Sequence, residues 1–306
     1  LHYHLGWANA RYESEALPGG KRVRPVLCLM SCEAFTGMVE RALPAAVAVE
    51  LLHAFSLIHD DIEDGDRCRW HRPTLWTLVG QPQAINAGDG LFALAQSALL
   101  RSAEEGIPAE TVLEALARFN EAALQLCIGQ HLDMTFEARA VVSPEEYLEM
   151  IQGKTASLLA YAGAVGAVMG GAGEAEVAAL YEMGEALGLA FQMQDDLLGL
   201  WGDPQRTGKP VGADIRARKK SLPVAYALSQ PGSERLRTLY ASPIETDEQV
   251  AEANRLIEST GAHDYTKAQV RHQAARAAAM LDTLSASQER LAPLRRLVEL
   301  LTHRNR

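Results

Sequence analysis

Apolar residues recur every three or four positions along most of this chain, which is the spacing of one face of an α-helix. The pattern is clear after residue 43, where the apolar positions include Val47, Leu51, Ala54, Ile58 and Ile62. It predicts a helix from residue 43 to about residue 63. The same spacing predicts helices over residues 26–35, 84–103, 108–138, 144–169 and 174–201, and from residue 220 onward. No alternation of apolar and polar residues requires a sheet. We therefore predict an all-α fold, a bundle of about ten helices.

Composition narrows the class of protein. The chain has 306 residues, of which 48% are apolar and 22% charged, and no linker-like shift in composition interrupts it. We therefore predict a single domain over residues 1–306. The net charge of −10 argues against a nucleic-acid partner, because non-specific binding to nucleic acid needs a basic surface. An acidic protein that binds an anionic substrate must gather its cations locally or recruit a metal.

Two features bear on where the protein works. The four cysteines show no CxxC spacing, and no secretion signal is expected at the first residues, so we predict a reduced, cytoplasmic setting. Residues 155–173 contain no charged side chain, a length that would span a bilayer. Many glycines and alanines keep this stretch only modestly apolar. We predict a buried helix that packs closely through small residues, and no membrane span.

Three aspartates lie together where the predicted helix at 43–63 ends, in the sequence HDDIED: Asp60, Asp61 and Asp64. Asp60 and Asp64 are four apart and share a helix face, while Asp61 lies about 100° round the axis. Like charges at this spacing repel, so helix stability does not explain the cluster. A hard divalent cation such as Mg²⁺ does, because it prefers carboxylate and water oxygens and bridges to phosphate. The alternative is a solvated acidic face at a helix end.

A second acidic pair, Asp195 and Asp196, lies within the strongly apolar helix predicted at 174–201. Adjacent aspartates in such surroundings are unfavourable unless metal or cations compensate them. Two acidic groups on separate helices suggest facing walls of one cavity, with several Mg²⁺ against a diphosphate. Three basic sets are available for the phosphate groups: Lys21, Arg22 and Arg24; Lys154 with Thr155; and Lys209, Lys219 and Lys220.

The motifs GGKRVRP, HDDIED, GKTASL, FQMQDDLLGLWGD and TGKPVGADIRARKKSLP follow one another between residues 19 and 223. In this order and spacing they resemble the trans-isoprenyl (polyprenyl) diphosphate synthases. The resemblance implies an isoprenoid-synthase-like helical bundle around a central cavity, and a homodimer. It also implies that Mg²⁺ helps an allylic diphosphate to ionise, that isopentenyl diphosphate attacks the allylic cation, and that a proton then leaves.

The resemblance also implies a role for each matching position. Two Mg²⁺ would be held by Asp60, Asp61 and Asp64. A third Mg²⁺ would be held by Asp195, and Asp196 would belong to the same metal site in a supporting role. The allylic diphosphate would be gripped by Arg69, Lys154, Lys209 and Lys219. The ionising carbon would lie beneath the hydroxyl and carbonyl dipoles of Thr155 and Gln192. Isopentenyl diphosphate would bind at Gly20, Lys21, Arg24 and His53.

The chain departs from the family pattern at two positions. The second acidic motif has Gly199 where a third aspartate is usual, which would weaken one metal contact. The first motif is normally followed by two arginines, the second of which binds isopentenyl diphosphate, and here Arg69 is followed by Trp70. An indole cannot replace a guanidinium on a phosphate. The lost contact is worth about 1.5–3 kcal/mol of binding free energy.

Product length is set in this family by the residues just before the first acidic motif. Here they are Phe55 and Ser56, and no residues are inserted within the motif. This arrangement resembles synthases of geranylgeranyl diphosphate, with farnesyl diphosphate next. Phe55 could instead serve only as core packing. Two other functions stay open: a terpene-synthase-like relative that ionises an allylic diphosphate without isopentenyl diphosphate, which Trp70 would suit, and a non-catalytic partner subunit.

Overall fold

The computed structural model describes residues 1–17, 20–202 and 212–302, with the backbone alone for Ala213. Within these residues the fold is all-α, as predicted. The first half contains α1 (Val23–Thr36), α2 (Leu43–Glu63), α3 (Leu75–Val79), α4 (Gln81–Leu100), α5 (Ala109–Glu137), α6 (Pro144–Ile151) and α7 (Ser157–Met169). The second contains α8 (Glu174–Trp201), α9 (Ala213–Arg216), α10 (Leu222–Ser229), α11 (Glu234–Tyr240), α12 (Asp247–Ser259), α13 (Ala262–Asp282) and α14 (Gln288–Thr302). Short 3₁₀-helices cover Glu40–Ala42 and Arg101–Ala103.

The chain packs as two compact units that are interleaved in sequence. Unit 1 comprises Leu1–Ala123, Tyr161–Leu180 and Ser285–Leu291. Unit 2 comprises Leu124–Ala160, Tyr181–Leu284 and Ala292–Arg306. That the whole chain forms one domain stays a prediction.

In unit 1, α2 packs along α4 and α1. The close packing predicted for the glycine-rich stretch is confirmed here, because a Cβ placed on Gly166 would lie 2.8 Å from the Cβ of Ser31 and 2.9 Å from the carbonyl carbon of Cys28. Only a residue without a side chain lets the α7 backbone approach α1 so closely. Burial raises the pKa of the Cys28 thiol, and Cys28 and Cys32 are both buried and free.

One described stretch, Glu40–Glu63, is long and apolar enough to cross a membrane by length and composition. Half of its most apolar 18-residue window is buried inside the protein. It contains α2 and carries Asp60 and Asp61 near its end, so we interpret it as the core helix of unit 1. The stretch that the sequence singled out, 155–173, is buried as far as Met169.

In unit 2, the core includes two clusters of buried side chains. The first holds Phe136, Val142, Tyr147, Met150, Ile151, Leu189, Met193 and Leu197, among others. The second holds Leu200, Ile215, Val224, Leu236, Ile244, Val250 and Ile257, among others. Capping boxes at Ser143 and Thr246 satisfy the first amides of α6 and α12, which explains where these helices begin.

The structure differs from the sequence prediction in four places. The helix predicted over 144–169 is interrupted by a π-helical turn at Gln152–Ala156. A hairpin of two-residue strands, β1 (Cys68–Arg69) and β2 (Arg72–Pro73), lies where no strand was predicted. Its turn places Trp70 at φ 51° and His71 at φ 61°, the left-handed backbone that tight hairpins need. The short helices α3 and α9 were also not predicted.

Candidate active site

The first carboxylate cluster is formed by the end of α2 and the hairpin. Arg69 on β1 reaches back across it: its Nε donates to Asp61 Oδ1 at 2.6 Å, and its Nη2 donates to Asp60 Oδ2 at 2.9 Å. The guanidinium thus holds two adjacent carboxylates side by side. Asp64 caps the end of α2 and is exposed. The predicted metal residues Asp60 and Asp61 and the predicted phosphate ligand Arg69 therefore lie together.

Burial dominates the electrostatics of this cluster. The Asp61 side chain is only 2% exposed, and desolvation raises its pKa to about 6 despite the lowering effect of Arg69. The two carboxylates in turn raise the pKa of Arg69, against the lowering effect of its burial. Asp61 Oδ2 is buried and has no hydrogen-bond partner among residues 1–17, 20–202 and 212–302. A buried carboxylate oxygen left open beside a second carboxylate fits a hard divalent cation.

In the described part of the chain, no group of three His, Cys, Asp or Glu side chains could by itself hold a metal ion. An ion here would complete its shell with water or with oxygens of a substrate. This is how Mg²⁺ usually binds in phosphate-handling sites, through one or two carboxylates and the phosphate itself. The residues therefore fit Mg²⁺ bound together with a diphosphate.

Unit 1 also holds the residues predicted to bind isopentenyl diphosphate. Arg24 Nη1 lies 3.2 Å from His53 Nε2. Burial and the charge of Arg24 hold the pKa of His53 well below its usual range, and burial lowers the pKa of Arg24 to about 10. Gly20 lies against the ring of Trp70, since a Cβ on Gly20 would be 3.3 Å from that indole. Lys21 is exposed beside them.

A cavity of about 360 Å³ opens beside these residues. Gly20 and Trp70 line it, its charged and histidine side chains are those of His4, Arg22, Glu50 and His53, and most of its other walls are apolar side chains of α1 and α2. The size falls in the range of small-molecule sites. Trp70 therefore lies where the family pattern has an arginine, and it lines a cavity large enough to hold a small molecule.

In unit 2, Asp196 is the centre of a buried hydrogen-bond network. Its Oδ2 accepts from Tyr147 Oη at 2.5 Å and from the Leu222 amide at 3.1 Å, and its Oδ1 accepts from Gln192 Nε2 at 3.1 Å. Burial raises the pKa of Asp196, and the charge of Lys219 partly offsets this. Both oxygens of Asp196 are thus engaged by protein donors, which suits a supporting role rather than direct metal binding. The neighbouring Asp195 is exposed.

Lys154 and Thr155 lie in the π-helical turn. Lys154 Nζ donates to Asp133 Oδ2 at 2.6 Å, and Thr155 Oγ1 lies 3.1 Å from Gln192 Oε1. The structure therefore brings Thr155 and Gln192 together, as predicted. Short π-helical turns inside α-helices are frequent at functional sites. Lys209 lies outside the described residues.

Two glycines, one on α5 and one on α8, allow these helices to pack closely against the backbone of the π-helical turn. A Cβ on Gly129 of α5 would lie 2.6 Å from the carbonyl carbon of Gly153 and 2.8 Å from Lys154 Cα. A Cβ on Gly188 of α8 would lie 2.5 Å from Ala156 Cα. These contacts are with backbone atoms, which cannot rotate away. The position of the turn therefore depends on the absence of side chains at both glycines.

The departure from the family pattern at Gly199 has a structural counterpart. A Cβ on Gly199 would lie 2.9 Å from the carboxylate carbon of Asp214, which comes from α9. The space that a third aspartate of the second motif would use is therefore taken by another carboxylate. Sequence reasoning missed Asp214, and it also missed Asp133 and Tyr147. Each is an acidic or aromatic residue on a helix, and only the folded chain shows which partner it meets.

Phe55, the predicted gate of product length, lies on α2 in a row of aromatic rings. Its centroid is 5.2 Å from that of Phe92 on α4, and Phe92 is 5.6 Å from Phe119 on α5. Phe119 is fully buried, while Phe55 is half-buried. Phe55 therefore both packs into unit 1 and keeps part of its ring accessible.

A model of the polyprenyl synthetase family matches residues 7–257. The (2E,6E)-farnesyl diphosphate synthase of Mycobacterium bovis is 38% identical over 308 residues, covering 99% of this chain and 84% of the relative. The crystal structure of a polyprenyl synthetase from Streptomyces coelicolor A3(2) superposes with a TM-score of 0.92 at 42% identity, over 98% of this chain and 90% of that one. That of a geranylgeranyl pyrophosphate synthase from Corynebacterium glutamicum, complexed with isoprenyl diphosphate and magnesium, gives 0.85 at 30% identity, over 94% and 87%.

The all-α fold, the carboxylate clusters and these similarities agree. The chain belongs to the polyprenyl synthetase family, and it is a trans-prenyltransferase of the isoprenyl diphosphate synthase class.

Proposed function

We propose that this enzyme condenses isopentenyl diphosphate with an allylic diphosphate, in the presence of Mg²⁺, to give a short-chain product. Geranylgeranyl diphosphate is the expected product, and farnesyl diphosphate is the next candidate. The observation that carries the proposal is the buried Asp61 oxygen left open beside Asp60, where Arg69 holds both carboxylates in place. A metal-bound diphosphate is the chemistry that such a group serves.

Five aspartates would serve the metal. Asp60, Asp61 and Asp64 would hold two Mg²⁺, and Asp195 a third, with Asp196 fixed behind it by its hydrogen bonds to Tyr147, Gln192 and Leu222. Bound Mg²⁺ would neutralise the charge that develops on the leaving diphosphate. The complex of the Corynebacterium glutamicum relative with isoprenyl diphosphate and magnesium supports the use of Mg²⁺.

The chain's own cations would complete the neutralisation. Lys154, Lys209, Lys219 and Arg69 would hold the allylic diphosphate as its bond to carbon breaks. Lys154 now pairs with Asp133, and Arg69 with Asp60 and Asp61, so each would exchange a carboxylate for phosphate oxygens. Thr155 and Gln192, in contact with each other, would direct oxygen dipoles at the allylic cation.

Isopentenyl diphosphate would bind where Gly20, Lys21, Arg24 and His53 meet. The 3.2 Å contact between Arg24 and His53 supports the assignment, because it holds a guanidinium against a histidine that lines the cavity. The apolar walls of this cavity would exclude water from the carbon that attacks.

Phe55 would limit the length of the product. Its half-buried ring stands one turn before Asp60 and is backed by Phe92, so a growing chain that reaches it meets a packed aromatic pair. A homodimer is also proposed, because α4 leaves large apolar side chains such as Ile85, Leu94 and Leu100 exposed. No disulfide joins the four cysteines in the described residues, which supports a reducing, cytoplasmic setting.

The second candidate is an enzyme that ionises an allylic diphosphate without isopentenyl diphosphate. Trp70 on the cavity wall favours it, since an indole face can stabilise a cation. The third candidate function is that of a non-catalytic partner subunit.

One experiment separates the three. The purified protein is incubated with Mg²⁺, isopentenyl diphosphate and dimethylallyl, geranyl or farnesyl diphosphate, and the products are identified by mass spectrometry. Longer diphosphates support the leading proposal. Hydrocarbons or alcohols formed without isopentenyl diphosphate would favour the second candidate. No turnover with any allylic substrate would favour the third. Size-exclusion chromatography with light scattering tests the dimer.

A further inference from the structure

His4 is a buried histidine to which no motif assigns a role. It is 8% exposed, and its Nε2 atom has no hydrogen-bond partner in the described ranges. The backbone of Ala54 on α2 lies near the ring and raises the pKa of His4 slightly against the other effects. Such an orphaned nitrogen is uncommon, because buried polar atoms are normally paired. It points to a group that the protein alone does not supply.

The imidazole lines two cavities at once. One is the 360 Å³ cavity, which Gly20 and His53 also line. The other is a small cavity of about 20 Å³ beside Asp61 and Arg69. Trp70 also lines both. His4 therefore lies beside the indole that stands in place of the usual arginine.

The segment that carries His4 is held firmly to the hairpin. Tyr3 Oη donates to the Pro73 carbonyl at 2.7 Å, and Arg72 Nη2 donates to the Tyr3 carbonyl at 2.5 Å. The Arg72 guanidinium also stacks over the Tyr3 ring, 4.3 Å from its centroid. Because the residue before His4 is fixed in three ways, the imidazole is preorganised rather than free to swing.

The charges around His4 favour an anion. Burial and the positive charges of Arg69, the amino group of Leu1 and Arg72 lower the pKa of His4 to about 4. His53 on α2 is also nearby, since His4 lowers its pKa in turn. Asp61, the acid that shares the small cavity, is bound by Arg69. A diphosphate would offset the positive field and let the ring take up a proton. His4 could then donate from both nitrogens.

We propose that His4 Nε2 donates a hydrogen bond to the diphosphate group of isopentenyl diphosphate and supplies the contact that Trp70 cannot make. This inference rests on the proposed function, because it takes the cavity to be the isopentenyl diphosphate site. His4 would then be a substrate-binding residue that lies before α1, outside the sequence motifs of the family.

The first test compares steady-state kinetics of His4→Ala and His4→Gln with those of the unmodified protein. We expect the KM for isopentenyl diphosphate to rise about tenfold or more, the loss typical of one charge-assisted hydrogen bond. The KM for the allylic substrate should stay within about twofold. His2→Ala is the matched control, since His2 is exposed in the same segment. An unchanged KM for isopentenyl diphosphate in both His4 variants overturns the inference.

The second test is a double-mutant cycle with Trp70→Arg. If His4 replaces the missing arginine, Trp70→Arg should lower the KM for isopentenyl diphosphate more in the His4→Ala background than in the unmodified protein. Strictly additive effects would contradict the compensation. A ¹⁵N spectrum of labelled histidine gives a readout that a purely structural role would not move: the His4 Nε2 signal should shift when isopentenyl diphosphate is added, and an unmoved signal overturns the contact.

These results are distinguishable from a failure of the proposed function. If the unmodified protein does not elongate any allylic diphosphate, the proposed function fails first. If it elongates normally and the His4 variants match it, only the assignment of His4 fails.

Discussion

The packing of Gly129 against the π-helical turn leads to a sharp prediction: Gly129→Ala should displace Lys154 and Thr155. The new Cβ would lie 2.6 Å from the carbonyl carbon of Gly153 and 2.8 Å from Lys154 Cα. Ordinary contacts begin near 3.4 Å, so the two backbones must part by about 0.8 Å or more.

The expected change in the free energy of unfolding of Gly129→Ala follows from two opposing effects. Alanine gains up to about 1 kcal/mol over glycine in a helix interior. Overpacking typically costs about 1–3 kcal/mol, and it is worst where backbone faces backbone. We therefore expect the free energy of unfolding to fall by about 1–2 kcal/mol. A misplacement of about 1 Å in an active site can slow a reaction about 100-fold. We therefore expect kcat of the folded variant to fall, beyond any loss of activity caused by unfolded protein.

Urea denaturation measures the stability, and steady-state elongation measures kcat. Gly90→Ala is the matched control, because the Cβ that it would add to α4 meets no described atom within 4 Å apart from the backbone of its own helix and its chain neighbours. That variant should gain about 0.5–1 kcal/mol and keep its kcat. If Gly129→Ala is as stable and as active as the unmodified protein, the turn does not depend on close backbone packing and the reasoning is wrong.

Three further predictions concern other parts of the site. Phe55→Ala should shift the product to longer chains, measured by mass spectrometry, and lower the free energy of unfolding by about 2–3 kcal/mol; an unchanged product would leave Phe55 as core packing only. Gly199→Asp should lower that free energy by about 1–3 kcal/mol without reducing the Mg²⁺ requirement, because the new carboxylate meets Asp214, and adding Asp214→Ala should restore most of the loss. Asp61→Asn should inactivate the enzyme yet stabilise the metal-free protein at pH 7.5 by about 1–2 kcal/mol. The pKa of Asp61 is raised to about 6, so the folded state holds a proton that the unfolded chain has lost, and stability falls as pH rises from about 4 to 6. Urea denaturation at pH 4.5 and 7.5 in chelator checks this, and a variant equally destabilised at both values would contradict it.

The long helices were predicted well because their patterns are strong and their ends are marked. The helix at 43–63 was predicted with the bounds that the structure has, and so was the one at 174–201, which ends before Gly202, Asp203 and Pro204. The helical start near residue 144 is also readable, because Ser143 and Glu146 form a capping box in the expected spacing. In these elements local sequence and tertiary packing agree.

The π-helical turn could not be predicted from the same pattern. Periodicity reveals a change of register only where polar and apolar faces alternate. Between residues 155 and 169 every side chain is buried, so the helix is apolar all round and a shift of one residue leaves no trace. The turn is visible only through its contacts with Gly129 and Gly188.

Some residues of the candidate site could be predicted from the sequence, and others could not. Asp60, Asp61 and Arg69 could be predicted because they belong to local motifs, and the structure brings them together. The pairing of Lys154 with Asp133 and the placing of His4 beside Trp70 depend on contacts between distant parts of the chain. Arg72 and Tyr3, for example, are 69 residues apart. Neither strand of the hairpin is long enough to show alternation, so no sequence pattern marks it.

The π-helical turn has one more consequence, for how ligand binding can be observed. The π-helical turn replaces the hydrogen bonds of the flanking α-helices with wider i→i+5 bonds, and we expect the amides of Gln152–Ala156 to open locally more often than their neighbours. Lys154 and Thr155 lie within this segment. A diphosphate that binds to them would slow amide exchange there first, while the flanks stay protected. Hydrogen–deuterium exchange of this short stretch would then report occupancy of the allylic site without any label on the substrate.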